Sequence, residues 1–327
     1  MPRKARLTVI DLFAGAGGFT RGFVDEDFHV LAAVENEPGA RAAYAANFPK
    51  HHLITDDLKK VDFAALAEEV GQPDVVIGSP PCEPYTPANA ERRKEPLDRL
   101  YKDPAGALTF HFIRAVGELQ PKAFVMENVP AIADEPLKQE LRALFRKQGF
   151  PRVWMQSLRA EEHGTPSRRI RLFASDLKLE PPPEPAQPSV AQVIGPLADL
   201  DATFQELPNH LKLTVSRKEG ARIAELDEGE SLYHWRSAQG RVLGHKTRIR
   251  GEELAPTIMG SSRFVHYDQS RFLTVREHAR LMGFPDDHVF AGGRGQQYDQ
   301  VGEAVPPPLA RAIAGEVRRL LDAGPSP

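Results

Sequence analysis

Seven short apolar runs, each ending in a glycine or polar corner, divide the first 175 residues of this chain. They are Leu7–Ile10, Val30–Val34, His52–Ile54, Val75–Ile77, Ala123–Met126, Val153–Ser157 and Arg171–Ala174. Helical patterns fall between them, as at Ala105–Leu119 and Leu137–Gln148. Near-continuous apolar strands bury both faces, and parallel neighbours need helical crossovers, so the expected class is α/β with a doubly wound, mostly parallel sheet. The rhythm breaks at Glu180-Pro-Pro-Pro-Glu-Pro185, a hinge or linker. From there to residue 254 the chain reads as a small separate module. Helices at Thr274–Met282 and Pro308–Leu321 then return to the first unit. The expected division is 1–180, 181–254 and 255–327.

One cysteine in 327 residues excludes a disulfide framework and leaves a thiol free. It lies in Asp74-Val-Val-Ile-Gly-Ser-Pro-Pro-Cys82, where a strand ends and two prolines stiffen the exit. A lone cysteine is most often a small buried hydrophobe. Rigid presentation at the carboxyl end of a strand, where open α/β sheets bind ligands, points instead to a nucleophile. No apolar stretch approaches membrane-spanning length, so a cytoplasmic protein is expected. The net charge of −3 does not announce a polyanion partner, so any nucleic-acid surface must be local.

The turn Asp11-Leu-Phe-Ala-Gly-Ala-Gly-Gly18 offers backbone N–H groups at the start of a helix. Thr20 stands where the dinucleotide fingerprint wants its third glycine, which argues against NAD. Glu35, at the next strand end, is placed to take ribose hydroxyls, and Asp57, after the third run, to accept from an adenine amine. Singly, each acid reads as a surface group or helix cap. Together they suggest an adenosine pocket without a diphosphate, as S-adenosyl-L-methionine requires. A fourth strand end carries Glu127, and a carboxylate there is either structurally bonded or functional. A thiolate and a neighbouring acid can together activate cytosine: addition at carbon 6 makes carbon 5 nucleophilic while the acid protonates the ring nitrogen.

With these motifs in order, the chain resembles the DNA (cytosine-5)-methyltransferases of bacterial, archaeal and phage type over nearly its full length. DLFAGAGG, the Glu35 strand, GSPPC, MENV, Pro166-Ser-Arg-Arg-Ile-Arg171, LTVREHARLMGFP and QVGEAVPP carry the resemblance. It implies a Rossmann-like catalytic domain with a smaller target-recognition domain. It also implies Cys82 as nucleophile, Glu127 engaging ring nitrogen 3 and the amine, and Arg169 and Arg171 near the base and the thiol. Phe13, Ala14, Gly15, Gly17, Gly18, Glu35, Asn36, Asp57, Leu58, Pro81, Leu108 and Glu303 would line the cofactor pocket. No metal is implied. The implied partner is double-stranded DNA, bound by a monomer, with a cognate restriction endonuclease as a further candidate.

Four positions depart from the family pattern. Glu83 and Ser167 stand where glutamine is usual, Glu303 where asparagine is usual, and Asn36 where a side chain commonly stacks on adenine. Glu303 matters most, because its position resembles one near the methionine end of the cofactor.

From Ser231 to Gly251 there is no acid, while Arg236, Arg241, Lys246, Arg248 and Arg250 are basic. The bland reading is a solvated surface; the sharper one is a DNA-reading segment. Arg92 and Arg93 lie in a polar loop after the nucleophile, a candidate lid on the DNA backbone. Two rival readings stand beside DNA methylation: cytosine-5 methylation of tRNA, and a catalytically inactive DNA-binding relative.

Overall fold

Side-chain alternation along the strands assigns the two faces of the central sheet. The structure, a computed structural model, describes residues 6–197, 207–236 and 242–324. Strands β1 (Thr8–Leu12), β2 (His29–Val34), β3 (Leu53–Ile54), β4 (Val75–Gly78), β5 (Ala123–Asn128), β6 (Trp154–Arg159) and β7 (Ile170–Ser175) form one sheet. Its order is β3-β2-β1-β4-β5-β7-β6. Ile10, Leu12, Val76, Phe124 and Met126 face one hydrophobic cluster, and Val9, Val75, Ile77, Val125 and Phe173 the other. This period of two means that a one-residue slip would exchange both cores at once.

Helices α2 (Pro38–Asn47) and α4 (Pro96–Tyr101) lie in the crossovers after β2 and β4, and the first cluster is covered by α3 (Phe63–Val70), α5 (Leu108–Leu119) and α6 (Leu137–Lys147). The second is covered by α1 (Gly18–Asp25) and a long helix, Pro307–Ala323. The first five strands are parallel in their pairings, whereas β7 runs antiparallel to both β5 and β6. The doubly wound, mostly parallel sheet is therefore as expected. The antiparallel strand is what periodicity could not reveal. It brings the start of β7, with the arginine block before it, to the edge where the parallel strands end.

Two element boundaries moved for identifiable reasons. β1 continues through Asp11 and Leu12, because Leu12 is paired with Val34 on one side and Gly78 on the other. α5 begins at Leu108 rather than Ala105. Asp103 first holds a turn by accepting from the N–H groups of Ala105 (2.9 Å) and Gly106 (3.2 Å).

Beyond the sheet, α7 (Val190–Ile194), α8 (Arg217–Ala224) and the hairpin β8 (Ser231–Arg236)–β9 (Val242–Thr247) precede three further helices. These are α9 (Val275–Leu281), α10 (Arg294–Glu303) and the long helix already described, α11. Val190 and Ile194 pack with Ile258, Leu273, Val275, Leu281 and Tyr298 in a third cluster. Ile223, Leu232, Val265 and Phe272 form a smaller one, drawing on residues either side of 254.

Candidate active site

Residues that carry chemistry are gathered along one edge of the sheet. The carboxyl ends of β3, β2, β1, β4 and β5 are consecutive neighbours. They lead, in that order, to Asp57, Glu35, the glycine turn, Pro81-Cys82 and Glu127. Adjacent strands lie roughly 5 Å apart, so five separated sequence positions fall within one cleft-sized row.

The glycine turn is shaped by its φ angles. Phe13 (φ 61°), Gly15 (φ 57°) and Gly17 (φ 93°) all take left-handed conformations. A Cβ on Gly17 would lie 2.3 Å from the Phe48 ring, and one on Gly18 would lie 2.6 Å from the Val305 carbonyl. A Cβ on Gly15 would meet nothing within 4 Å, so this glycine faces open space. The Gly15 N–H donates to Glu35 Oε2 (2.8 Å), and the Glu37 N–H donates to Glu35 Oε1 (2.8 Å). Burial raises the Glu35 carboxyl, opposed by these backbone donors. Asp57 caps a short turn through Lys59 N–H (3.0 Å), above buried Leu58. Asn36 is exposed, and Ala14 is buried. Phe13, Pro81 and Leu108, at the start of α5, are half-buried. An open glycine turn flanked by two carboxylates at successive strand ends fits an adenosine with a ribose to hold.

Asp11 escaped the sequence reading. It is buried beneath the turn, and Thr20 Oγ1 donates to its Oδ2 at 2.5 Å. Burial pushes its carboxyl up to about 7, with the Thr20 bond opposing. Thr20 contacts the Tyr44 hydroxyl (3.2 Å), which in turn meets His51 Nδ1 (3.1 Å). Thr20 is thus more than an absent third glycine. An acid as the penultimate residue of an apolar strand was the available signal.

Cys82 is half-buried. Burial, then the charges of Glu83 and Glu127, push its thiol up to about 12; Arg171 opposes them and Glu303 adds to them. The thiol is therefore neutral at rest. Glu127 is buried and paired with Arg171 Nε at 3.1 Å. Burial raises its carboxyl, with Arg171, Arg169 and the Ser79 hydroxyl opposing. Asn128 Nδ2 donates to the Pro80 carbonyl (2.9 Å), tying the Glu127 strand end to the Pro-Pro-Cys corner.

Arg169 lies among the same charged groups, with its guanidinium turned to the backbone. It is fully buried, and its guanidinium donates to the carbonyls of Ile258 (2.7 Å), Gly302 (2.8 Å) and Ala304 (2.9 Å). It clamps the two C-terminal segments that flank Glu303 onto the sheet edge. The electrostatic influences of Cys82, Glu127, Arg171 and Glu303 all reach it. Glu303 is accessible to solvent, and its carboxyl is raised by crowding and partial burial, then by Glu83 and Asp299.

The basic candidates separate into different groups. Arg248 is 6% exposed, and its guanidinium donates to the carbonyls of His266 (2.7 Å), Gln269 (3.1 Å) and Ile223 (2.8 Å). It staples the small cluster together, a structural residue and not the DNA contact expected from the basic run. Sequence cannot separate such an arginine from an exposed one within the same basic run. Lys246 is held by Glu219 and lies over the Tyr233 ring at 5.4 Å. Arg250 is exposed, with Glu253 3.6 Å away, and Arg236 is exposed at the end of β8. Arg241 lies outside the described residues. In the loop after Cys82, Arg92 donates to the Tyr85 carbonyl (2.9 Å) and exposed Arg93 to that of Lys102 (2.9 Å). Among the described residues, no cluster of His, Cys, Asp or Glu is arranged to hold a metal, and no helix is long and apolar enough to cross a membrane.

Known proteins resemble this chain in sequence and in fold. A sequence model described as C-5 cytosine-specific DNA methylase matches residues 7–319. A protein of Methanocaldococcus jannaschii whose name places it among type II methyltransferases is 41% identical, covering 96% of this chain and 100% of the relative. The type II methyltransferase M1.HphI of Haemophilus parahaemolyticus is 35% identical, covering 96% and 87%. Among solved structures, a DNA modification methyltransferase encoded in an Escherichia coli prophage superposes with a TM-score of 0.78 at 24% identity, covering 97% and 99%. DNMT2 of Spodoptera frugiperda gives 0.64 at 15% identity, covering 95% and 99%.

Proposed function

Because the chain belongs to the C-5 cytosine-specific DNA methylase family, we propose that it methylates carbon 5 of a cytosine flipped out of double-stranded DNA, using S-adenosylmethionine and a covalent Cys82 adduct. The observation that carries this reading is the row of strand ends. Its β3-β2-β1 half presents Asp57, Glu35 and the open Gly15 turn, and its β4-β5 half presents Cys82 and Glu127. When bound, the cofactor supplies an electrophilic methyl group on a positively charged sulfur. Glu35 would hold the ribose and Asp57 the adenine amine, with Phe13, Leu58, Pro81 and Leu108 as apolar walls.

The resting thiol is protonated, so attack on carbon 6 requires that its proton leave as substrate arrives. Arg171 is the local charge that favours the thiolate. Glu127 is suited to donate to ring nitrogen 3, because burial makes its proton easier to keep than on a surface glutamate. Arg171 holds that carboxyl in place, and Arg169 acts as a positioning residue through the carbonyls it clamps. A base within a duplex is beyond reach of a strand-end thiol and must be extruded.

The proposed division of labour follows residues 1–180 for chemistry, 181–254 for reading DNA and 255–327 for completing the catalytic unit. Exposed Arg93, Arg236 and Arg250, with Arg92, Lys246 and Arg241, remain the proposed DNA contacts. A monomer acting on cytoplasmic DNA, alone or alongside a restriction endonuclease, fits this scheme. Bisulfite sequencing of duplex DNA treated with the protein and S-adenosylmethionine should show 5-methylcytosine in one short sequence. A protein that methylates tRNA and leaves duplex DNA unmodified would overturn the DNA reading. A protein that methylates neither would overturn the enzymatic one.

A further inference from the structure

Glu303 is a carboxylate without a hydrogen bond or ion pair among the described residues, on a backbone held tightly on three sides. The carbonyls on either side of it, Gly302 and Ala304, both accept from Arg169 Nη2 (2.8 and 2.9 Å). A Cβ on Gly18, at the start of α1, would lie 2.6 Å from the Val305 carbonyl and 3.1 Å from Ala304 Cβ. A Cβ on Gly302 would lie 2.2 Å from the Gly260 nitrogen. Glu303 is thereby fixed between the cofactor turn and the nucleophile loop, and Cys82 feels its charge.

The charged groups around it are mostly acidic. Glu83 faces it from the loop after β4, Asp299 from its own helix α10 and Glu35 from the end of β2, with Arg169 the opposing cation. Arg263, in the loop before α9, acts on Asp299. Arg169 is already bonded to three carbonyls. The thiol attacks carbon 6 of the cytosine ring and the methyl group goes to carbon 5, the adjacent atom. A charge that reaches Cys82 therefore also acts on the sulfur that carries the methyl group. That sulfur is positive in the cofactor and neutral in the thioether product.

We propose that Glu303, assisted by Glu83, is a specificity-determining residue that favours the charged sulfonium cofactor over its neutral thioether product. The inference rests on the S-adenosylmethionine reading above. An unpaired carboxylate attracts the sulfonium and gains nothing from the thioether, so product leaves without competing for the site. A carboxyl that titrates near neutral pH gives this preference a pH dependence. The sulfonium form binds better as pH rises and Glu303 loses its proton, while the thioether form does not follow.

The test is calorimetric titration with S-adenosylmethionine and S-adenosylhomocysteine at several pH values from 6 to 8.5. The wild-type protein is compared with Glu303→Gln, Glu83→Gln and the double variant. Glu303→Gln keeps shape and removes charge, and should lower the ratio of sulfonium to thioether affinity by about three- to tenfold while flattening its pH dependence. Glu83→Gln should act in the same direction and more weakly. Binding of both ligands with an unchanged ratio would overturn the inference and leave the cofactor reading standing. So would equal tightening of both, which would mean that the carboxylate repels the methionine end shared by the two. Failure of wild-type protein to bind either ligand would overturn the cofactor reading and the inference together.

Discussion

Replacing Cys82 by serine exchanges a thiol for a far weaker nucleophile of similar size, so the fold should stand while methyl transfer falls below detection. DNA carrying 5-fluorocytosine should trap a covalent adduct with the wild-type chain only. An adduct in the serine variant would remove Cys82 from its role. Glu127→Gln keeps the shape of the side chain but can neither carry the transferred proton nor balance Arg171, 3.1 Å away. Turnover at saturation should fall by about 100-fold or more with DNA affinity little changed, because the interaction strengthens only as the ring gains charge. Arg248→Ala is the contrasting case. It strips a buried donor from carbonyls that hold the small cluster together, and should cost about 2–3 kcal/mol in thermal or denaturant unfolding. If Arg248→Ala instead left stability intact and relaxed the target sequence, the structural assignment would be wrong.

At the scale of elements, the LTVREHARLMGFP block shows why a charged-looking helix can be core. α9 opens with a capping box in which Thr274 and Glu277 serve each other. Glu277 also takes both arms of Arg271, at 2.8 and 2.6 Å, with both residues almost wholly buried. Breaking one side of such a pair strands the other charge in a low-dielectric interior. Glu277→Gln should therefore destabilise the protein by about 3–5 kcal/mol, far more than loss of an exposed pair such as Arg250–Glu253. A paired apolar replacement, Arg271→Met with Glu277→Leu, should recover much of that loss in a denaturant titration. Equal losses for the exposed and buried pairs would contradict the argument.

Across the whole molecule, acid should unfold the chain well before its surface carboxylates are all protonated. His266, His278 and His288 are buried and held neutral, each lowered to about 4, by burial first in every case. Their ordinary value is about 6.5, so the unfolded chain binds more protons between pH 6.5 and 4. Stability from these groups is complete above about 6.5 and is lost as pH falls through that window. Three groups acting together give a slope of at most about 4 kcal/mol per pH unit, steep enough to exhaust a marginal fold near pH 5. Asp11 works in the opposite sense over much of the same range: its carboxyl is raised to about 7, so its contribution is complete below the ordinary carboxylate value of about 4 and is lost as pH rises from there to about 7. Three histidines outweigh one carboxyl, so melting temperature should be highest near neutrality. Replacing Asp11 by asparagine should steepen the fall on the acid side and leave the alkaline side unchanged.

Much of this molecule could be read from its residues alone. Strand runs, their helical crossovers and the motif order sufficed for the doubly wound sheet and the family, because backbone periodicity and short motifs are local properties. The likeness of Cys82, Glu35, Asp57 and Glu127 to a family's site residues was likewise legible, since each follows an apolar run. Distance across the chain decided the rest. Only the strand order β3-β2-β1-β4-β5 makes those strand ends neighbours, and only the antiparallel β7 delivers Arg171 to Glu127. Sequence could not tell that Arg248 is buried and Arg250 exposed, or that Arg169 grips three carbonyls. An arginine carries the same charge in solvent or in a core, and burial is decided by what packs around it.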